Sequence, residues 1–145
     1  MLIDTCVLSE LIRPRPDANV TAWFEHAAEE QLSVSVLTLG EIEKGAERLP
    51  RGPKRRRIEE WLLALRRDFA DRVLSIDDSI ARRWGQISAQ AERKGRALAV
   101  VDGLLAATAL HHGVALVTRN VDDFAMTGVT LLNPWELASK RRGRR

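Results

Sequence analysis

An α/β fold with a small parallel sheet and helices on both of its faces is what this 145-residue sequence predicts. Three observations lead there. Four or five short apolar runs alternate with six or seven segments of helical periodicity, the pattern of strand–helix–strand crossovers. One segment, Val100 to Leu110, is apolar on nearly every face, so it belongs inside. Asp4, Glu41, Asp102 and the Asn120–Asp123 cluster each stand at the C-terminal end of a strand-like run or in the first turn of a helix-like run. In an open parallel sheet that edge is where ligands bind.

The elements follow in chain order. Leu2-Ile3 reads as a short buried strand ending at Asp4. Val7, Leu8, Leu11 and Ile12 have helical spacing, and Pro14 and Pro16 stop that helix. Val20, Trp23, Phe24 and Ala27 mark a second helix. Leu32 to Val36 alternates with period two and predicts a strand. Thr38 to about Arg48 reads as helical, and Pro50, Gly52 and Pro53 break it. Ile58, Trp61, Leu62, Leu65 and Phe69 then repeat at amphipathic-helix spacing. Val73 to Ile76 is a short strand. Ile80, Trp84, Ile87 and Ala91 give another amphipathic helix, ending near Gly95. The apolar helix over Val100–Leu110 closes at Gly113, a residue suited to a helix C-terminus. Ala115 to Thr118 reads as a central strand, Val129 to Leu132 as a last one, and Asn133 to Leu137 as a helical turn.

Length suggests one domain able to bury a core without a staple. We place one folded domain over residues 1–138 and a basic tail, expected to be disordered, over 139–145. The lone cysteine, Cys6, has no partner for an internal disulfide, which fits a reducing compartment. No signal peptide and no membrane-length apolar run is visible, so a cytoplasmic protein with no membrane partner is expected. Charge is distributed in blocks. The chain holds 23 basic and 20 acidic residues, but five of the basic ones lie in Lys140–Arg145. Setting those five aside leaves 18 basic against 20 acidic residues, a slightly acidic body. A second basic cluster is internal: Arg51, Lys54, Arg55, Arg56 and Arg57. Basic blocks around an acidic site suit an enzyme that grips a polyanion and cuts it with metal-bound acids. Like-charge runs are also commonly just solvated.

Each acid has a structural explanation of its own. Asp4 can cap the first helix. Thr38-Leu39-Gly40-Glu41 fits a capping box, Asp102 can favour a helix N-terminus, and Asn120, Asp122 and Asp123 can be turn residues. Together those explanations weaken. Asp4 follows an apolar strand directly and Asp102 borders an almost wholly apolar helix, where an unpaired carboxylate is costly. Gathered carboxylates repel one another unless a cation lies between them. A hard dication such as Mg²⁺ takes oxygen ligands and keeps waters for a phosphate.

Other chemistries fit less well. No P-loop and no Gly-x-Ser-x-Gly occurs. A phosphatase of the haloacid-dehalogenase type would need an Asp where Cys6 stands. His26, His111 and His112 lack zinc spacing, and Cys6 has no neighbouring His to activate it. The four tryptophans mostly sit at core spacing.

Four segments carry a resemblance. Leu2-Ile3-Asp4-Thr5-Cys6, Leu37-Thr38-Leu39-Gly40-Glu41, Asp102-Gly103-Leu104-Leu105-Ala106-Ala107 and Leu116-Val117-Thr118-Arg119-Asn120, with their flanks, resemble the PIN-domain ribonucleases. Within them the chain is most similar to the VapC/FitB branch of type II toxin–antitoxin systems. The resemblance runs essentially to Asn133-Pro134-Trp135. It implies a three-layer α/β/α sandwich with a mainly parallel sheet of about five strands. It implies a metal-dependent endoribonuclease in which Asp4 and Asp102 bind Mg²⁺ or Mn²⁺ and Glu41 completes the acidic pocket. The family's fourth acid aligns with Asn120, which can ligate through its carbonyl or be replaced by Asp123. Asn is usual where Cys6 stands. Thr5 and Thr118 are the hydroxyl candidates for supporting the acids or holding phosphate, and Arg51, Lys54, Arg55, Arg56 and Arg57 for holding RNA backbone. The implied partners are an RNA substrate, a cognate antitoxin that binds DNA and blocks the site with its C-terminal segment, and a second copy in a homodimer. The alternative is a catalytically weak module that only holds RNA or a partner.

Overall fold

The computed structural model of the protein describes residues 1–137. The expected basic tail, with Lys140–Arg145, lies outside them. Five strands, each two residues long, run as β1 (Leu2–Ile3), β2 (Val34–Ser35), β3 (Val73–Leu74), β4 (Leu116–Val117) and β5 (Leu131–Leu132). The α-helices are α1 (Thr5–Leu11), α2 (Ala18–His26), α3 (Val36–Glu47), α4 (Pro53–Phe69), α5 (Asp78–Arg93), α6 (Val100–His112) and α7 (Val121–Phe124).

All strand pairs are parallel. β4 lies between β1 and β5, with Leu116 opposite both Leu2 and Leu131. β2 pairs with β3, Val34 opposite Val73. A bridge between Leu2 and Ser33 joins the two groups, with Ile3 N donating to Ser33 O and Ser33 N to Met1 O, both at 2.9 Å. The strand order is therefore β3-β2-β1-β4-β5. Side chains alternate across the sheet as the pleat requires. Ile3 and Val117 point into a core with Val7, Leu39, Leu62 and Phe69 of α1, α3 and α4. Leu2 and Leu116 point the other way, into a core with Ile80, Leu105, Ala106 and Phe124 of α5, α6 and α7. Two cores on opposite faces of one sheet make the expected three layers.

Local chemistry sets the helix ends. Pro53 occupies the first position of α4, where its missing N–H costs nothing. Asp77 Oδ1 accepts from Ile80 N at 2.9 Å and starts α5. Gly113, at φ +64°, closes α6 in the left-handed conformation that its lack of a Cβ allows. Ala106, Ala107 and Ala109 of α6, all fully buried, share a core with Leu2 and Leu116 of the sheet.

Three expectations need correction. The strand over Leu32–Val36 is shortened because Ser35 caps a helix: its Oγ accepts from Leu37 N at 3.0 Å. Helix α3 therefore begins at Val36, not Thr38, and the Thr38–Glu41 capping box does not form. Thr38 is fully buried in the first turn instead. The Asn120–Asp123 stretch is a one-turn helix, α7, rather than a plain turn. Among the described residues, no helix is long and apolar enough to cross a membrane.

Candidate active site

The short strands hand their C-terminal residues straight to the rim. Asp4 is the single residue between β1 and α1, and its N–H donates to Val117 O at 2.9 Å, continuing the ladder. Its carboxylate is buried and well held. Oδ1 accepts from Thr5 N at 2.8 Å, which makes Asp4 the cap of α1. Oδ2 accepts from the buried Thr118 Oγ1 at 2.8 Å. The Thr118 hydroxyl in turn accepts from Asn120 N at 3.1 Å, so its proton is directed at Asp4. Thr118 follows β4, the neighbour of β1. Two adjacent strand ends thus fix one carboxylate.

Glu41 comes from α3 and is exposed. Its Oε1 accepts from Thr5 Oγ1 at 3.0 Å. Thr5 therefore serves both acids, its amide on Asp4 and its hydroxyl on Glu41. Asp102 lies in the first turn of α6 and is half-buried. Among the described residues nothing donates a hydrogen bond to its carboxylate. Burial raises its pKa above the ordinary carboxylate value, and the charges of Asp123, Asp4 and Glu41 raise it further. Four acids from α1's cap, α3, α6 and α7 therefore share one electrostatic field.

Asn120 contributes differently from the expectation. It is exposed and caps α7, with its backbone N–H on Thr118. Asp123, one turn on, is the charge that Asp102 feels most strongly. Cys6, at the position where the resemblance leads one to expect Asn, lies beside the acids. It is half-buried, with Sγ 3.6 Å from both Asp4 Oδ2 and Thr118 Oγ1. Burial and the Asp4 charge push its pKa up, so it stays a thiol and a weak donor toward Asp4.

Among the described residues, no three His, Cys, Asp or Glu side chains converge closely enough to hold an ion as they stand. The donor set still fits Mg²⁺ or Mn²⁺: it is all oxygen and net negative, and Mg²⁺ is commonly held by only one or two carboxylates, its other ligands being water and phosphate. The Asp102 carboxyl, raised first by burial and then by the charges of Asp123, Asp4 and Glu41, is one whose ionised form a cation would favour.

The basic cluster divides in two. Arg55 is already engaged, with Glu47 at 2.9 Å, Glu59 at 2.8 Å and Leu49 O at 3.4 Å. It clamps the α3–α4 corner, so it is removed from the set expected to hold RNA. Arg51, Lys54, Arg56 and Arg57 are exposed and unpaired among the described residues. A concavity of about 570 Å³ opens there, lined by Arg51, Arg55, Arg56 and Glu59. Another, of about 530 Å³, lies around Met1, Trp23, His26 and Leu137, at the opposite end of β1 from Asp4. Neither is lined by Asp4, Glu41, Asp102 or Asp123.

A short parallel sheet with carboxylates from distant segments meeting at one strand-end rim defines the class, and the chain belongs to the PIN-domain family, which it matches over residues 1–128. It is 37% identical over 142 residues to VapC ribonuclease Y4jK of Sinorhizobium fredii, spanning 95% of this chain and 99% of that protein. It is 35% identical over 139 residues to Toxin FitB of Neisseria gonorrhoeae, spanning 93% and 98%. Among solved structures, FitAB bound to an IR36 DNA fragment matches with a TM-score of 0.88 at 34% identity, over 94% of this chain and 96% of that one.

Proposed function

We propose that the protein is a divalent-metal-dependent endoribonuclease acting as the toxin of a type II toxin–antitoxin pair. One observation carries the reading: the half-buried Asp102 carboxyl faces the charges of Asp123, Asp4 and Glu41 with no hydrogen bond of its own. Similarity to a VapC ribonuclease and to a protein named as a toxin supports RNA as the substrate.

Asp4 and Asp102 would hold Mg²⁺ or Mn²⁺, with Asp123 and Glu41 completing the acidic surround. When bound, the ion would polarise a phosphoryl oxygen and acidify a water. Asp4 arrives at the site already oriented by Thr5 N and Thr118 Oγ1, so little ordering is lost on binding. Glu41 is solvent-accessible and steadied by the Thr5 hydroxyl, which suits a base that takes a proton from the attacking water. Water attack in line with the 3′ leaving oxygen leaves a 5′-phosphate and a 3′-hydroxyl; the ribose 2′-hydroxyl is not the nucleophile. Arg51, Lys54, Arg56 and Arg57 hold backbone phosphates beyond the rim. Single-stranded loops, whose bases can splay outward, are the substrates such recognition usually takes. The antitoxin partner would cover this rim, and a basic side chain set among the four acids would neutralise them as a cation does.

Cleavage of end-labelled RNA by wild type and Asp102→Asn, with Mg²⁺, Mn²⁺ or chelator, tests the proposal. Metal-dependent cutting with 5′-phosphate ends, lost in the variant, is expected. Tight RNA binding without turnover under any of these conditions would instead return the protein to the role of a non-catalytic holder.

A further inference from the structure

Helix α6 starts without a side-chain cap, because Ala99 stands at that position. Asp102, in its first turn, is held by no hydrogen bond to its carboxylate among the described residues. Its height on the rim is therefore set by how α6 seats on α5, the helix packed along it. The tightest point of that seat is the next residue. Gly103 is buried, and a Cβ there would lie 2.8 Å from Trp84 Cδ1, 2.9 Å from Trp84 Nε1 and 3.2 Å from Leu98 Cδ2. Gly40, Gly45 and Gly85, also within helices, have open space at the same position. The Trp84 Nε1–H is itself buried, with no hydrogen-bond partner among the described residues. An unpaired buried donor is destabilising, so the indole occupies this place for its fit against the α6 backbone rather than for a hydrogen bond.

The geometry points to Trp84 as a positioning residue of the active site: its pyrrole edge, pressed on the bare backbone of Gly103, fixes the first turn of α6 and with it the Asp102 carboxylate. The inference rests on the reading of Asp102 as an ion ligand. Metal–oxygen distances tolerate deviations of only about 0.2 Å, so a small lift of this turn is enough to spoil the ligand set.

Mn²⁺ binding by calorimetry, with thermal midpoint and RNA cleavage alongside, tests it in Gly103→Ala, Trp84→Phe, the double variant and Asp102→Asn. Alanine is the better helix former, so local propensity alone predicts that Gly103→Ala is harmless. The seat predicts instead that its Mn²⁺ affinity falls by ~10–100-fold, the usual size of effects transmitted through groups supporting a ligand, with cleavage falling in step. Phenylalanine lacks the pyrrole edge that the new methyl meets, so the double variant regains most of the lost affinity, while Trp84→Phe alone binds severalfold more weakly than wild type. Wild-type affinity in Gly103→Ala, or in Trp84→Phe should the glycine variant not fold, overturns the positioning role. So does a double variant no better than Gly103→Ala. Undiminished Mn²⁺ binding in Asp102→Asn would overturn the underlying reading itself; its loss there, with Gly103→Ala unaffected, removes only the role of Trp84.

Discussion

Asp4 and Asp102 carry the same functional group on the same rim, yet the fold treats them in opposite ways. Asp4 is buried and receives Thr5 N, Thr118 Oγ1 and, more weakly, the Cys6 thiol. Asp102 is half-buried, receives no hydrogen bond among the described residues, and faces three like charges. One carboxylate is satisfied by the protein; the other has no donor among the described residues. A site that must bind an ion and release it has a use for both, because a fixed ligand supplies orientation while a frustrated one supplies the drive to bind.

The sharpest way to break this contrast is catalytic, where the two acids should behave alike. Asp4→Asn and Asp102→Asn should each cost at least ~3 kcal/mol of transition-state stabilisation, about a hundredfold or more in rate. Single-turnover cleavage at saturating Mg²⁺ measures this. A tenfold difference between the two would mean that only one of them meets the ion.

Stability should separate what catalysis joins. Thr118→Val removes the hydroxyl on buried Asp4 and should destabilise the protein by about 1–3 kcal/mol, the penalty for leaving a buried acceptor unmet. Denaturant unfolding reads it directly. An unchanged midpoint would show that Asp4 is not held as described.

The pH dependence sharpens the comparison further, through two acids of opposite sign. Asp102 has its pKa raised. Between the ordinary Asp value and that raised value the folded protein keeps a proton that the unfolded chain has lost, so without metal this residue makes stability fall as pH rises. Glu10 is the reverse. Asp17 N at 3.0 Å, then Arg13 at 3.0 Å, lower its pKa. Its contribution is fully present above the ordinary Glu value and is lost as pH falls through the lowered one. Asp102→Asn should abolish the first slope and leave the second. Glu10→Gln should do the opposite.

The smallest effects belong to the basic corner. Alanine at Arg51, Lys54, Arg56 or Arg57 should each reduce the salt slope of RNA binding by ~0.7, the value for one phosphate contact on a single strand. Arg55→Ala should lower the melting temperature and leave that slope alone, since its guanidinium is spent on Glu47 and Glu59.

Much of this was legible in the residues themselves. The strands at Leu2-Ile3 and Leu116-Val117 are apolar runs that stop at a polar residue, so Asp4 and Thr118 announced the rim. The long helices declared themselves by period, α6 by its apolarity and its closing Gly113. The start of α3 was not legible, because Ser35 and Thr38 are both competent caps and period two persists through Val36 even as the backbone turns helical. Helix α7 was missed because Asn120, Asp122 and Asp123 suit a turn equally well. At the site, the sequence placed Asp4 directly after a strand and Asp102 in the first turn of a helix, and the structure brings both into one electrostatic field. Thr5 and Thr118 could be named as supports, but not which acid each would hold: Thr5 reaches Glu41 across 36 residues and Thr118 reaches Asp4 across 114. Arg55 shows the same limit, since a basic run looks uniform until Glu47 and Glu59 close on one member of it.

Thermal unfolding of wild type and Asp102→Asn at neutral pH, each with and without Mg²⁺, tests the central claim most directly. The account predicts that the metal-free variant melts above metal-free wild type, because a repulsion is gone. It also predicts that saturating Mg²⁺ raises the wild-type midpoint, as any ligand of the folded state must, and leaves the variant unmoved. A variant that melts lower than wild type and gains as much from Mg²⁺ would contradict a shared ion site at Asp102.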